Sequence, residues 1–357
     1  MKTGNTVFRA GARAYAAIQE QGLSPDMVSV MAGAAGGPKW LMLSNFDRVL
    51  SKYLFGGRKD PVLLIGSSIG AWRFAALSRE NPLAAIDTFE ETYINQHYSS
   101  KPDIEEVTRE SFRIMDSFLG ETGIEEALGN TRSRICMITV KSRSPAATDA
   151  RVPLGASMAC AALCNAVSRR GMKLFFSRTL FHDSRVTPPV IDGRGFSTRH
   201  IPLSSENFRS ALMASGSIPM VMEGIHGIPG APEGTYRDGG LIDYHLDLPF
   251  PGPGDSIVLF PHYVDRIIPG WFDKPLKWRK PRPAHMDRVL LVAPSPEFVA
   301  TLPLGKIPDR NDFYLFNGRD RERIKYWRTA VRECERLADE FHEAVTTGKI
   351  RDLVEPL

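Results

Sequence analysis

The sequence predicts an α/β fold with a largely parallel sheet. Two observations carry that prediction. Short β-type apolar runs alternate with helix-compatible segments along most of the chain. One of those runs, Pro61 to Ile65, passes through Gly66-Ser67-Ser68-Ile69-Gly70 directly into helical sequence. No internal repeat and no low-complexity segment points to a solenoid or an unstructured chain.

The elements follow in order. Residues 6–22 read as a first helix, ended by Gly22 and Pro25. Met27–Met31 is a short β-type run that enters the loop Gly33-Ala34-Ala35-Gly36-Gly37-Pro38-Lys39. Pro38 suits a first helical turn, and Trp40, Leu41, Leu43, Phe46, Val49 and Leu50 continue with helical spacing. Val62–Ile65 is a buried strand, and residues 82–128 are charged and mostly helical. Arg134–Val140 is a strand rich in apolar and β-branched residues, and residues 155–169 form a small-residue helix. Leu174–Phe176 is a further strand, and a helix over 205–214 precedes Gly216-Ser217-Ile218-Pro219. Ser256–Phe260 and Arg288–Val292 complete the strands. In the helix over 318–346, Ile324, Trp327, Val331, Cys334, Ala338, Phe341 and Val345 form one apolar stripe, which docks on its own domain or meets a partner.

The chain has 357 residues, long for one domain and short for three. It divides into an N-terminal helix (1–25), a main domain (26–300) and a C-terminal helical extension (301–357). A net charge of +4 is too small to argue for nucleic acid or an acidic partner. Cys136, Cys160, Cys164 and Cys334 include no C-x-x-C pair, and Cys160 and Cys164 in their Ala-rich run read as packed core thiols of a reducing compartment. No apolar run is long enough for a membrane helix or a secretory core, which predicts a cytoplasmic protein that touches a membrane only from outside. With no HExxH, EF-hand loop or His/Cys cluster, neither a metal nor a cofactor is expected.

Three segments carry chemistry. A serine at the centre of G-x-S-x-G on a strand-to-helix corner is pushed out of the backbone trace, which makes Ser68 a candidate nucleophile, against an ordinary Gly-Ser turn. The loop Gly33 to Lys39 can turn several backbone N–H groups toward one point, suiting an oxyanion or a phosphate, and its spacing is not that of a Walker loop. Tyr236-Arg237-Asp238-Gly239-Gly240 reads in isolation as a hairpin turn, yet its carboxylate can serve a serine as base if burial raises its proton affinity.

Together these segments resemble the patatin-like phospholipases. That family combines a glycine-rich oxyanion loop with a basic residue, a G-x-S-x-G corner and a D-G-[GA] turn. Here they are Gly36-Gly37-Pro38-Lys39, Gly66-Ser67-Ser68-Ile69-Gly70 and Asp238-Gly239-Gly240, in the family's order. Ala214-Ser215-Gly216-Ser217-Ile218-Pro219 and the run from Asp238 to Pro249 are similar to family segments too, so the resemblance spans roughly residues 27–250. It implies a three-layer α/β/α sandwich over residues 26–300 and a lipolytic serine acyl hydrolase with a Ser68–Asp238 dyad. It also implies an oxyanion hole at Gly36, Gly37 and Lys39, and a lipid or acyl-ester substrate. Alanines at 34 and 35 depart from the pattern, as does Trp40, where a glycine usually follows the basic residue and where bulk can reshape the loop.

Two other readings compete. A Ser-His-Asp carboxylesterase would recruit His245 or His262, which follow Asp238 in the chain. A patatin-fold protein that has lost turnover would bind lipid without cleaving it. Residues 270–282 interleave Trp271, Phe272, Leu276 and Trp278 with Lys274, Lys277, Arg279, Lys280 and Arg282. That mixture suits peripheral membrane contact, or a surface loop anchored by its tryptophans, ahead of nucleic acid, which is not expected. Oligomeric state is not written in the sequence.

Overall fold

Strands buried on both faces read as unbroken apolar runs, and such runs build the centre of the sheet. The computed structural model describes residues 4–56, 58, 60–186, 195, 196 and 198–357. Among them, ten strands form one sheet: β1 (Thr6–Ala10), β2 (Val28–Gly33), β3 (Val62–Ser67), β4 (Ser133–Ser142), β5 (Phe176–His182), β6 (Thr198–Pro202), β7 (Tyr236–Asp238), β8 (Ile257–Pro261), β9 (Val289–Pro294) and β10 (Val354–Pro356). Their order is β10-β1-β9-β8-β2-β3-β4-β5-β6, with β7 paired to β4. The central pairs β9–β8, β8–β2, β2–β3 and β3–β4 are all parallel, and antiparallel pairing is confined to β1–β9, β4–β5 and β4–β7. With helices packed on it, this mostly parallel sheet makes the chain an α/β fold, consistent with three α/β/α layers.

The expected strands near residues 27, 62, 134, 256 and 288 all form. Three expectations are corrected. Residues 6–22 are not one helix: Thr6–Ala10 is β1, and the helix runs over Ala12–Gln21. β1 alternates buried and half-buried residues and joins β9 to β10, so both chain ends complete one edge of the sheet. The strand expected at Leu174 begins at Phe176, because Arg169–Leu174 is a tight 3-10 turn that leaves Leu174 exposed. Cys160 is exposed and Cys164 half-buried, so they are not core thiols; the helix Arg151–Val167 turns them outward.

The C-terminal stripe lies on two helices, Asp320–Glu333 and Glu335–Thr346, that meet at Cys334. Trp327, Val331, Cys334, Ala338, Phe341 and Val345 are buried, and the Phe341 ring packs against Phe8, Phe46 and Tyr53. The stripe therefore docks on its own chain. Among the described residues no helix is long and apolar enough to cross a membrane.

Candidate active site

At the carboxyl end of β3 the chain turns into the helix Ile69–Leu77 through Ser68, whose backbone takes φ 55° and ψ −131°. A non-glycine residue held at positive φ costs energy and persists only where its surroundings over-determine it. Here the surroundings are close. A side chain at Gly70 would put its Cβ 2.1 Å from the Gly33 carbonyl oxygen at the end of β2, so only glycine lets the helix start so near the sheet. The Ser68 N–H donates to Ser215 Oγ at 2.9 Å, and Ser215 Oγ donates in turn to the Ile138 carbonyl of β4 at 2.8 Å. The corner is thus pinned by the Ala214–Pro219 segment, whose Ser217 carbonyl also accepts from the Asp238 N–H at 2.9 Å.

Asp238 is the last residue of β7, with Thr139 of β4 as its register partner, rather than part of a hairpin turn. Its Oδ2 accepts a hydrogen bond from Ser68 Oγ at 2.6 Å, and its Oδ1 accepts from the Gly240 N–H at 2.7 Å. Both residues are buried, Ser68 at 5% and Asp238 at 8% exposure. Burial pushes the Asp238 carboxyl up to about 6, opposed by the hydrogen bonds from Ser68 and Gly240 and by the nearby Arg310 and Lys274. A carboxylate with that affinity, in contact with a serine hydroxyl, is equipped to take its proton near neutrality.

Ser68 lies where two lobes of a cleft meet. One lobe, about 260 Å³, is lined by Gly36, Gly37, Lys39, Asp238, Lys274 and Arg310 among others. The other, about 210 Å³, is mostly apolar and aromatic, with Trp72, Tyr93, Tyr98, Ile114, Val221 and Phe313 on its walls. Gly36 and Gly37 stand at the start of a 3-10 helix (Gly37–Leu43), where amides lack intrahelical acceptors, and Gly37 takes φ 56°. A Cβ at Gly36 would sit 2.7 Å from the Tyr263 ring, which backs the loop. Burial lowers the proton affinity of Lys39, whose ammonium lies 4.9 Å from the centroid of that ring.

The Tyr263 hydroxyl donates to the Ala35 carbonyl, and His245 Nε2 lies 2.7 Å from the same hydroxyl. The single Tyr263 O–H proton goes to the Ala35 carbonyl, so His245 Nε2 is the donor to Tyr263. His245 Nδ1 faces the Ile268 N–H at 3.0 Å and the Arg266 carbonyl at 3.1 Å, and the chain runs His245 to Tyr263 to Ala35. Ala35 C=O and Gly36 N–H belong to one peptide group, so this bond polarises the N–H of Gly36, a residue that lines the cleft. His245 is therefore engaged behind the loop, and His262 Nδ1 accepts from the Val264 N–H. Neither histidine bonds Ser68 or Asp238, as a Ser-His-Asp triad would require.

Trp40 does not enter the cleft. Its ring is buried and stacks on Phe89 at 4.1 Å, so its bulk fills the core and leaves the loop open. In comparisons with known proteins, no protein-family model matches the chain and no curated protein matches its sequence.

Ser68, Asp238, Gly36, Gly37 and Lys39 all line one lobe. Sequence reasoning missed Ser215, Tyr263 and Arg310 as contributors; Lys274, read as one cation of a membrane-contact or surface segment, is exposed and also lines the cleft. The segment 270–282 is anchored through Asp273, which accepts from Arg169 Nη1 at 2.6 Å and from Asn165 Nδ2 at 2.7 Å. That anchor carries Trp271 and Lys274 to the cleft wall, buries Leu276 and leaves Trp278 exposed.

Proposed function

We propose that this chain is a serine acyl hydrolase of patatin-like fold that cleaves fatty-acyl esters of phospholipids or lysophospholipids. The observation that carries the reading is the 2.6 Å hydrogen bond from the strained Ser68 corner to a buried Asp238, at the junction of an apolar and a polar lobe. Ser68 Oγ attacks the ester carbonyl carbon while Asp238 takes its proton. The Gly36 and Gly37 amides hold the tetrahedral oxyanion, with Lys39 supporting the loop and adding positive potential. Collapse of the intermediate breaks the bond to the alcohol, which leaves with the proton from Asp238. Water, deprotonated by Asp238, then attacks the acyl-serine, and collapse frees the fatty acid and returns the proton to Ser68.

The substrate reaches the site from a lipid surface, with the protein cytoplasmic and peripheral to it. Two features support this: exposed Trp271 and Trp278, and the helix Arg151–Val167, which leaves Val152, Leu163 and Val167 in solvent. Arg279 ties the two regions together by donating to the Asn165 carbonyl at 2.8 Å.

Fluorophosphonate labelling of the purified protein, with the adduct located by mass spectrometry, tests the chemistry without a choice of substrate. An adduct on Ser68 that disappears in Asp238→Asn is the expected result. Unlabelled Ser68 in active-site-intact protein, or undiminished labelling in Asp238→Asn, overturns the reading.

A further inference from the structure

The polar lobe holds more positive charge than the dyad chemistry uses. Lys39, Lys274 and Arg310 all line it, beside Ser68. They come from three distant parts of the chain, so no local sequence pressure accounts for their meeting. Among the described residues none of the three forms an ion pair. Asp309, the carboxylate on the same wall, is taken up by Lys306 at 3.2 Å and by the Asn311 N–H at 2.8 Å.

The charges are also close to the reacting ester. Arg310 lines both lobes, and its Nη2 lies 3.9 Å from where a Cβ on Gly37 would stand, over the oxyanion loop. The Lys274 ammonium sits 4.3 Å from the Tyr244 ring centroid and 5.5 Å from that of Trp271, on the same wall. Asp238 and Asp309 on the same wall offset part of this charge. Three cations against two carboxylates still leave the wall net positive, and a bound anion relieves the repulsion that remains.

Resting on the acyl-hydrolase reading, we propose that this lobe binds a negatively charged group of the substrate, a phosphate or a carboxylate within a few bonds of the scissile ester. The apolar lobe then takes the acyl chain, and the preferred substrate is an anionic acyl ester rather than an uncharged or zwitterionic one. The proton affinity of Lys274 fits this arrangement. Its side chain still reaches solvent, yet desolvation first, and then the charges of Lys39 and Arg310, draw it down to about 7. An anion between these groups offsets the repulsion among the cations and draws the proton affinity of Lys274 back up.

The test uses Ser68→Ala protein, so that binding is read without turnover. Dodecyl phosphate, dodecanoate and dodecylphosphocholine are titrated calorimetrically below their micelle concentrations. At least one of the two anions is expected to bind about tenfold more tightly than the phosphocholine, the effect of one charge-assisted contact. Whichever of phosphate and carboxylate binds better names the anion. Adding Lys274→Gln or Arg310→Gln narrows the gap, Lys274→Arg restores it, and raising the salt weakens anion binding. Equal affinity for all three ligands, or a gap that neither glutamine variant narrows, overturns the proposal. Absent fluorophosphonate labelling overturns the hydrolase reading alone, because anion binding is measured on protein that cannot turn over.

Discussion

Asp238→Asn should make the protein more stable above pH 6 while abolishing its chemistry, and the size of the gain follows from the site. The wild-type carboxyl is moved from 3.8 to about 6 by burial. At about 1.36 kcal/mol per unit, holding that charge inside the native protein near neutrality costs about 3 kcal/mol. The asparagine keeps the local bonds: its Oδ1 accepts from the Gly240 N–H and its Nδ2 donates to Ser68 Oγ. The substitution therefore removes the charge and little else.

The sign is fixed by which state releases its proton first. Below pH 3.8 the aspartate is neutral in both states and costs nothing. As pH rises from 4 to 6 the unfolded chain ionises while the native protein holds its proton, so stability drains away. Above 6 both states are ionised and the cost stays constant. The expected loss from this group is about 1 kcal/mol at pH 4.5, about 2.5 at pH 6 and about 3 at the plateau. Urea unfolding of wild type and Asp238→Asn at these pH values measures it, because other titrating groups cancel in the difference between the two proteins. A difference that changes by less than about 0.5 kcal/mol between pH 4.5 and 6 would refute the raised affinity, and with it the argument for Asp238 as base.

On the proposed acyl-hydrolase reading the same group sets the acid limb: kcat/KM should rise with pH through about 6, as Asp238 loses its proton, and a profile flat from pH 5 to 8 would contradict its role. Tyr263→Phe removes the donor to the Ala35 carbonyl, so kcat should fall about tenfold with KM little changed, whereas a purely structural role would leave the kcat of the folded fraction intact. Ser215→Ala deletes the acceptor of the Ser68 N–H and should slow fluorophosphonate labelling about tenfold in protein that unfolds within about 1–2 kcal/mol of wild type. Replacing Val152, Leu163, Val167 and Trp278 together by serine should reduce co-sedimentation with anionic vesicles, and unchanged binding would remove this face from the membrane reading.

What the sequence shows of this site is what a few consecutive residues decide among themselves. Two glycines around Ser68 are required by a turn five residues long, and the glycines at 36 and 37 by a loop of similar length. β8 and β9 are readable because every residue in them is buried, which forces an unbroken apolar run. β1 was hidden for the opposite reason. Its five residues acquire their meaning from β9 and β10, nearly the whole chain away, and the alanine-rich sequence that follows favours a helix.

The direction a side chain takes is the other thing a linear pattern cannot carry. Trp40 reads as a threat to the oxyanion loop until Phe89 offers it a stacking face in the core. Lys274 reads as one cation among several on a surface segment. Its course is settled by its neighbour, because burying Asp273 against Arg169 and Asn165 fixes the backbone there, and the next side chain swings toward Tyr244 and the cleft. Breaking a buried pair by removing one member leaves an uncompensated charge, so that anchor is hard to lose and easy to overlook. The charge that would select an anionic substrate is thus positioned by an ion pair that touches no substrate at all.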